Sequence, residues 1–233
     1  MSVGKVFLLP MLLHEEGWES LPTDVTKWIQ QCDAFFVEDE KTARRYFKKL
    51  WKEMVIDNYV WSTIHKVEQA QIASFLELLK QGKNIGILSE AGCAGIADPG
   101  QILVAAAQNL GALVKPYVGP SSILLSLMAS GMNGQLFQFH GYLPIDALER
   151  KKKIQALEAD TKQRSCTQIF IETPYRNNQL LEAIIQSCHP TTKLCIGVDI
   201  TGPSEMIKTE SISYWKNNKP ELHKKLVIFL IGV

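Results

Sequence analysis

Residues 85–99 read IGILSEAGCAGIADP, and no other stretch of the chain constrains its fold as tightly. The apolar run Ile85, Ile87, Leu88 stops abruptly at Ser89-Glu90-Ala91-Gly92. A loop of small residues follows and ends at Asp98-Pro99, where a helical pattern begins. Asp98 is expected at the N-cap with Pro99 at the first helical position, a pairing that starts helices. A buried strand that runs into a loop and then a helix puts the loop at the carboxyl edge of a sheet. Open α/β folds bind their ligands at that edge. Gly92, Gly95 and the alanines between them let a ligand come close to the backbone.

The same alternation runs through the first half of the chain. Strands are expected at Val6–Leu9, Ala34–Val37, Met54–Val60, Asn84–Leu88 and Leu113–Tyr117. Between them lie helical patterns at Thr23–Gln31, Glu38–Leu50, Val67–Lys80 and Pro99–Asn109. Ile72, Phe75, Leu76 and Leu79 share one face of the third of these helices. Strands separated by helices imply right-handed crossovers and a mainly parallel sheet.

The second half is organised differently. A small apolar helix at Ser121–Ser130 precedes a strand at Leu136–Gly141 and a charged helix at Asp146–Thr161. Strands follow at Ser165–Ile171, Lys193–Asp199 and Leu226–Gly232, with a further segment around Met206–Ile212. Thr173-Pro174 is expected to cap a helix reaching about Ser187. Pro116–Pro120, with two prolines and Gly119, marks the best boundary. The expectation is an α/β fold of two α/β domains, residues 1–117 and 118–233, with an interdomain cleft.

Composition narrows the class. The 233 residues are 46% hydrophobic, enough for real cores, yet the longest apolar stretch, Leu226–Ile231, is only strand-sized. No membrane span and no signal pattern is expected, which suggests a cytoplasmic protein. The five cysteines are odd in number and contain no C-x-x-C pair, so they read as reduced thiols rather than disulfides or a metal site. A net charge of +1 argues against binding nucleic acid by bulk electrostatics, while leaving room for a local basic patch.

The loop at 89–98 matches neither the dinucleotide-binding nor the phosphate-binding glycine pattern. A tight strand-to-helix connection and a pocket lined by backbone groups and Asp98 are the two readings of it. Gly119-Pro120-Ser121-Ser122 is a second helix start, whose free amides and hydroxyls can hold a carboxylate or another polar ligand.

Seven motifs then occur in order: S-E-A-G, A-D-P-G, G-P-S-S, F-x-G-Y-L-P at Phe139–Pro144, Glu149-Arg150-Lys151, I-F-I-E-T-P-Y-R at Ile169–Arg176, and the earlier Glu38-Asp39 followed by Lys41 and Arg44. Together they resemble the tetrapyrrole methylase superfamily of S-adenosylmethionine-dependent methyltransferases. Within it they are most similar to the branch that methylates a ribose 2′-hydroxyl of 16S ribosomal RNA. The resemblance spans nearly the whole chain. It implies S-adenosylmethionine as cofactor, a homodimer, and an RNA or ribosomal-subunit substrate, with no metal and no membrane. Donor contacts carry over to the loop after the first strand (Leu12, Leu13), to Asp98 and Gln101, to Ser121, Ser122 and Ile123, and to Ile171. Glu38, Asp39 and Arg44 carry over as the catalytic candidates.

The departures fall on the first loop, where Pro10-Met11-Leu12-Leu13-His14-Glu15 replaces a glycine-containing polar turn, and on His65-Lys66-Val67, which keeps only a histidine of its motif. They leave open a tetrapyrrole or other small or protein-bound acceptor, and a degenerate S-adenosylmethionine-binding module without turnover. Simpler readings also stand beside the candidates. Glu38-Asp39 suits a helix dipole, Arg44, Arg45, Lys48 and Lys49, like the run Arg150–Lys153, suit solvated faces, and Glu172 with Arg176 suits a structural ion pair. The tryptophans 18, 28, 51 and 61 lack the regular placement of a base-stacking platform and read as core or interface.

Overall fold

The computed structural model describes residues 2–64 and 71–232. The chain divides into two compact units, Met1–Pro120 and Ser121–Val233.

In the first unit the strands are β1 (Val6–Leu8), β2 (Ala34–Val37), β3 (Val60–Thr63), β4 (Ile85–Leu88) and β5 (Val114–Pro116). All pair in parallel, in the order β3-β2-β4-β1-β5. Alternation along the strands divides the core between the two faces. Phe7, Leu9, Phe35, Val37 and Leu88 join one cluster; Val6, Ala34, Phe36, Ile85 and Ile87 join the other. Helices α1 (Val25–Ile29) and α2 (Glu40–Leu50) cover the first face through Val25, Ile29, Ala43, Tyr46 and Phe47. Helices α3 (Ile72–Lys80) and α4 (Gln101–Leu110) cover the second through Phe75, Leu79, Leu103 and Ala107. A sheet covered on both faces explains why its inner strands β2 (AFFV) and β4 (IGIL) are continuously apolar and buried.

Two expected boundaries shift in this unit. Residues 56–58 form a 3-10 turn rather than a strand, its Ile56 carbonyl taken by the Trp61 indole at 3.0 Å, and pairing with β2 begins only at Val60. Helix α4 starts at Gln101, with Gly100 as its N-cap at φ +118°. Asp98 therefore does not cap it. The left-handed turn at Gly100 delays the helix by two residues, a conformation that glycine alone adopts without strain. The expected helix start at Val67, and His65, lie outside the described residues.

In the second unit the strands are β6 (Phe137–Tyr142), β7 (Thr167–Ile171), β8 (Lys193–Val198), β9 (Met206–Ser211) and β10 (Val227–Gly232). Their order is β6-β7-β10-β8-β9, with only β6 and β7 parallel. Helices α6 (Ala147–Arg164), α7 (Asn177–Ser187) and α8 (Ile212–Asn217) supply Ile154, Leu157, Leu180, Leu181, Ile184, Ile212 and Trp215 to one core cluster. That cluster is built on Phe170, Ile196 and Phe229 of the sheet. Helix α5 (Ser122–Ser130) approaches β8, where a side chain at Gly197 would meet the Ser126 Oγ at 2.9 Å. Helix α7 begins at Asn177, not at Pro174. The Pro174 carbonyl is taken by the Lys224 amide (2.9 Å), and the first helical carbonyl is that of Arg176. Helix α8, capped by Ser211, was not expected from the sequence.

Phe229 is fully buried on the central strand and stacks on Phe170 at 6.0 Å. Phe229→Ala should remove about 3–5 kcal/mol of unfolding free energy. Urea denaturation followed by circular dichroism would show it, and a loss below about 1 kcal/mol would mean the ring is not part of a packed core.

Candidate functional site

The parallel order of the first sheet determines where a ligand can enter. The chain leaves β1 and crosses β4 to reach β2; it leaves β4 and crosses β1 to reach β5. The neighbours β1 and β4 thus send their connections in opposite directions. In open α/β sheets the ligand crevice lies at such a switch point, beyond the carboxyl ends of the strands.

Three loops meet there. The ladder from Leu9 N to the Ile87 carbonyl (2.9 Å) continues past both strand ends, where the Met11 amide donates to the Gly92 carbonyl (2.9 Å) and Pro10 bridges Cys93. On the other side the Tyr117 amide donates to the Leu8 carbonyl (3.0 Å). Gly119 then passes so close that a Cβ on it would lie 2.3 Å from the Pro10 Cβ. Gly92, at φ +70°, has Leu13 and the Pro120 carbonyl around it, 3.1 and 3.4 Å from where a Cβ would sit. The Cys93 Sγ lies 3.5 Å from that same carbonyl. Behind the first loop, the buried Tyr46 hydroxyl donates to the Pro10 carbonyl at 2.9 Å. Met11 and Leu12 are buried in the core beneath the loop, so their bulk is turned away from its surface; Leu13 is half-buried beside Gly92.

Acidic groups collect at this edge. The Glu90 amide donates to the Glu38 carboxylate at 3.1 Å. Burial, with Glu38 and Glu90 close by, pushes the Asp98 carboxyl up to about 6. Burial followed by Glu38 and Asp39 raises Glu90 in the same way. Burial, with Asp98 second, raises the Cys93 thiol. Among the described residues no lysine or arginine makes an ion pair with Glu38, Glu90 or Asp98. The edge therefore offers uncompensated negative charge, and a cationic ligand group would relieve the mutual repulsion.

The other expected residues have different surroundings. Asp39 is the N-cap of α2, accepting from the Thr42 amide at 2.7 Å, and its bonds from Thr42 hold its carboxyl below the usual range. Arg44 pairs with Glu40 at 2.6 Å and lies over the Trp61 ring at 5.0 Å, so it serves the packing of α2 on β3. Gln101 is the exposed first residue of α4. In the second unit Ser121 caps α5, Ser122 and Ile123 form its first turn, and Ile171 ends β7. Glu172 is buried and accepts from Arg176 at 2.7 Å and from the Thr173 amide at 2.6 Å, the arrangement of a structural ion pair. Arg150 is buried too, donating to the Ile145 carbonyl at 3.0 Å, so the basic run 150–153 is not one solvated face. Trp28 stacks on Tyr117 at 4.0 Å, and Trp18, Trp51 and Trp61 pack against the same core.

Tyr46 escaped the sequence reading because an aromatic on the inner face of a helix looks like any core residue. Glu90 and Cys93 stood inside a recognised motif, yet nothing in the sequence showed how near Asp98 they lie. Tyr46→Phe leaves the Pro10 carbonyl unsatisfied and should cost about 1–3 kcal/mol. Gly119→Ala should cost at least as much, since the added methyl needs the Pro10 loop to move. Thermal melts of the two variants check both effects; wild-type stability in G119A would refute the close approach.

No family model matches the chain. Among curated proteins it is 31% identical over 235 residues to the ribosomal RNA small subunit methyltransferase I of Escherichia coli O157:H7, covering 99% of this chain and 79% of that protein. It is 34% identical over 185 residues to the protein of the same name from Bacillus subtilis strain 168, covering 79% of this chain and 60% of that one. The match thus spans about three fifths of the length of the Bacillus subtilis relative. The fold is that of the uroporphyrin-III C-methyl transferase from Thermus thermophilus complexed with S-adenyl homocysteine, with TM-score 0.60, 13% identity, and coverage of 98% of this chain and 97% of that one. A match above 30% identity that covers 99% of this chain and 79% of the Escherichia coli relative places the sequence: it belongs to the ribosomal RNA small subunit methyltransferase I family.

Proposed function

We propose that the protein is an S-adenosylmethionine-dependent methyltransferase acting on a ribose 2′-hydroxyl of small-subunit ribosomal RNA. The observation that carries this reading is the 31% identity, over 99% of this chain, to the Escherichia coli O157:H7 ribosomal RNA small subunit methyltransferase I. The geometry of the first unit supports it. A donor of this kind needs close backbone approach, which Gly92 and Gly119 allow, and carboxylates for its cationic and hydroxyl groups, which Asp98 and its neighbours offer. Leu12, Leu13, Asp98 and Gln101 would hold it from the first unit; Ser121, Ser122, Ile123 and Ile171 would do so from the second.

The donor supplies an activated methyl group on a sulfonium. The protein's share is alignment of the acceptor hydroxyl with that methyl and removal of the hydroxyl proton. Of the three catalytic candidates, Glu38 accepts from the Glu90 amide and bears on Asp98 as well, whereas the Asp39 carboxylate caps α2 and Arg44 pairs with Glu40. Glu38 is therefore the residue we assign to the acceptor proton. Two copies per assembly are part of the same proposal, checked by sedimentation.

The Asp98 carboxyl gives a pH test. Only its ionised form accepts hydrogen bonds on both oxygens, so S-adenosylhomocysteine affinity should fall as pH drops through about 6. Glu38→Gln removes a like charge, so the midpoint should move to lower pH. Asp98→Asn should weaken binding roughly tenfold or more and flatten the profile, since a hydrogen bond to a charged group is lost. Calorimetry between pH 5 and 8 reads all three, and an unmoved midpoint in E38Q would remove Asp98 from the donor site. Transfer of labelled methyl to small ribosomal subunits from a methylase-deficient strain tests the acceptor. Donor binding without that transfer would sink the RNA reading.

A further inference from the structure

The second unit carries an exposed edge of which the proposed donor site takes only Ile171. Strands β6 and β7 run parallel and end together, with Tyr142 paired to Ile171 at their tips. Strand β10 runs antiparallel to β7, so the loop that precedes it, residues 222–226, sits at the same edge. Two tyrosines are exposed there, Tyr142 at 60% and Tyr175 at 70%. Tyr175 meets the His223 ring edge-on at 5.8 Å. The loop bearing His223 is fixed by the Lys224 amide, which donates to the Pro174 carbonyl at 2.9 Å, next to Tyr175. Arg176, whose pKa is raised chiefly by its bond to Glu172, also lies close enough to Tyr142 to feel its charge when the phenol ionises.

Charge indicates the kind of partner. The carboxylates of this edge are engaged by the protein itself. Glu172 holds Arg176, Asp146 accepts from the Leu148 and Glu149 amides, and Glu221 accepts from Asn178 and the His223 amide. Lys151 and Lys224 are exposed and make no ion pair among the described residues. Exposed aromatic faces flanked by unpaired cations match unstacked bases on a phosphate backbone, the form in which single-stranded RNA is recognised.

We propose that this edge of the second unit binds a single-stranded segment of RNA, with bases stacked on Tyr142 and Tyr175 and phosphates near Lys224 and Lys151. The inference rests on the reading of the chain as a ribosomal RNA methyltransferase. It adds the surface that grips the substrate.

The test compares affinity for small ribosomal subunits from a methylase-deficient strain across Tyr142→Ala, Tyr175→Ala, the double variant and Tyr175→Phe. Each alanine should weaken subunit binding about tenfold, while phenylalanine keeps the stacking face and restores it. Lys224→Ala should lower the slope of log affinity against log salt by about one. S-adenosylhomocysteine affinity should stay at the wild-type value in Tyr175→Ala and Lys224→Ala. The proposal is overturned if the double variant binds subunits as wild type does. It is equally overturned if sedimentation shows that the tyrosine variants lose self-association instead, which would make the edge a contact with a second copy. Wild-type methyl transfer with unaffected variants removes this inference alone. Wild-type protein that neither transfers methyl nor binds the subunit removes the proposed function as well.

Discussion

Everything at the candidate site depends on one close approach, that of Gly119 to Pro10 beyond the ends of β5 and β1. A parallel sheet aligns all its carboxyl ends on one edge, but it does not by itself tie the loops that leave them. Here the tie is backbone. The β1–β4 ladder extends through Met11 and Gly92, and Pro10 bridges Cys93 on one side while touching Gly119 on the other. Tyr46 completes the arrangement by donating to the Pro10 carbonyl, an acceptor that would otherwise lack a side-chain partner at this crossing. Loop positions set this way are properties of the sheet.

That rigidity bears on electrostatics. Carboxylates placed near one another raise each other's pKa, and free side chains avoid this by swinging apart into water. Glu38 follows β2 directly, Glu90 lies two residues beyond β4, and Asp98 precedes the turn at Gly100 into α4. Their backbones are anchored by adjacent strands, so they keep company at a cost that an incoming cation offsets. Asp39 shows the contrast. One residue beyond Glu38, it has found the amide of Thr42, and its carboxyl is stabilised as the anion.

What could be read from the sequence follows from the range of the interactions involved. β2 and β4 are recognisable because a doubly covered strand needs an unbroken apolar run, visible in AFFV and IGIL. The caps at Ser121 and Asp146 are equally local, each satisfied within three residues. Asp98-Pro99 resembled such a cap, yet the turn at Gly100 overrode it. The placement of β10 between β7 and β8 is a pairing across more than fifty residues on one side, and no local pattern encodes it. Tyr46 and Pro10 are thirty-six residues apart, and their bond was invisible for the same reason.

The first loop illustrates the difference between residue identity and backbone course. By composition, Met11, Leu12 and Leu13 made it look crowded, a departure that weighed against a working donor site. In the fold, Met11 and Leu12 insert into the cluster of Phe7, Leu9, Val25 and Tyr46, and the backbone keeps its tie to Gly92. A loop whose apolar side chains are buried beneath it leaves its course to be set by backbone bonds, here the Met11 amide to Gly92 and the Pro10 carbonyl to Tyr46. It can thus lose a glycine-containing polar sequence without losing the groups a donor would touch. The chemical identity of such a site then rests on the few side chains that do face outward, Leu13 and the carboxylates Glu38, Glu90 and Asp98. Substitutions in the buried part of the loop should accordingly act through stability, and those in the carboxylates through charge.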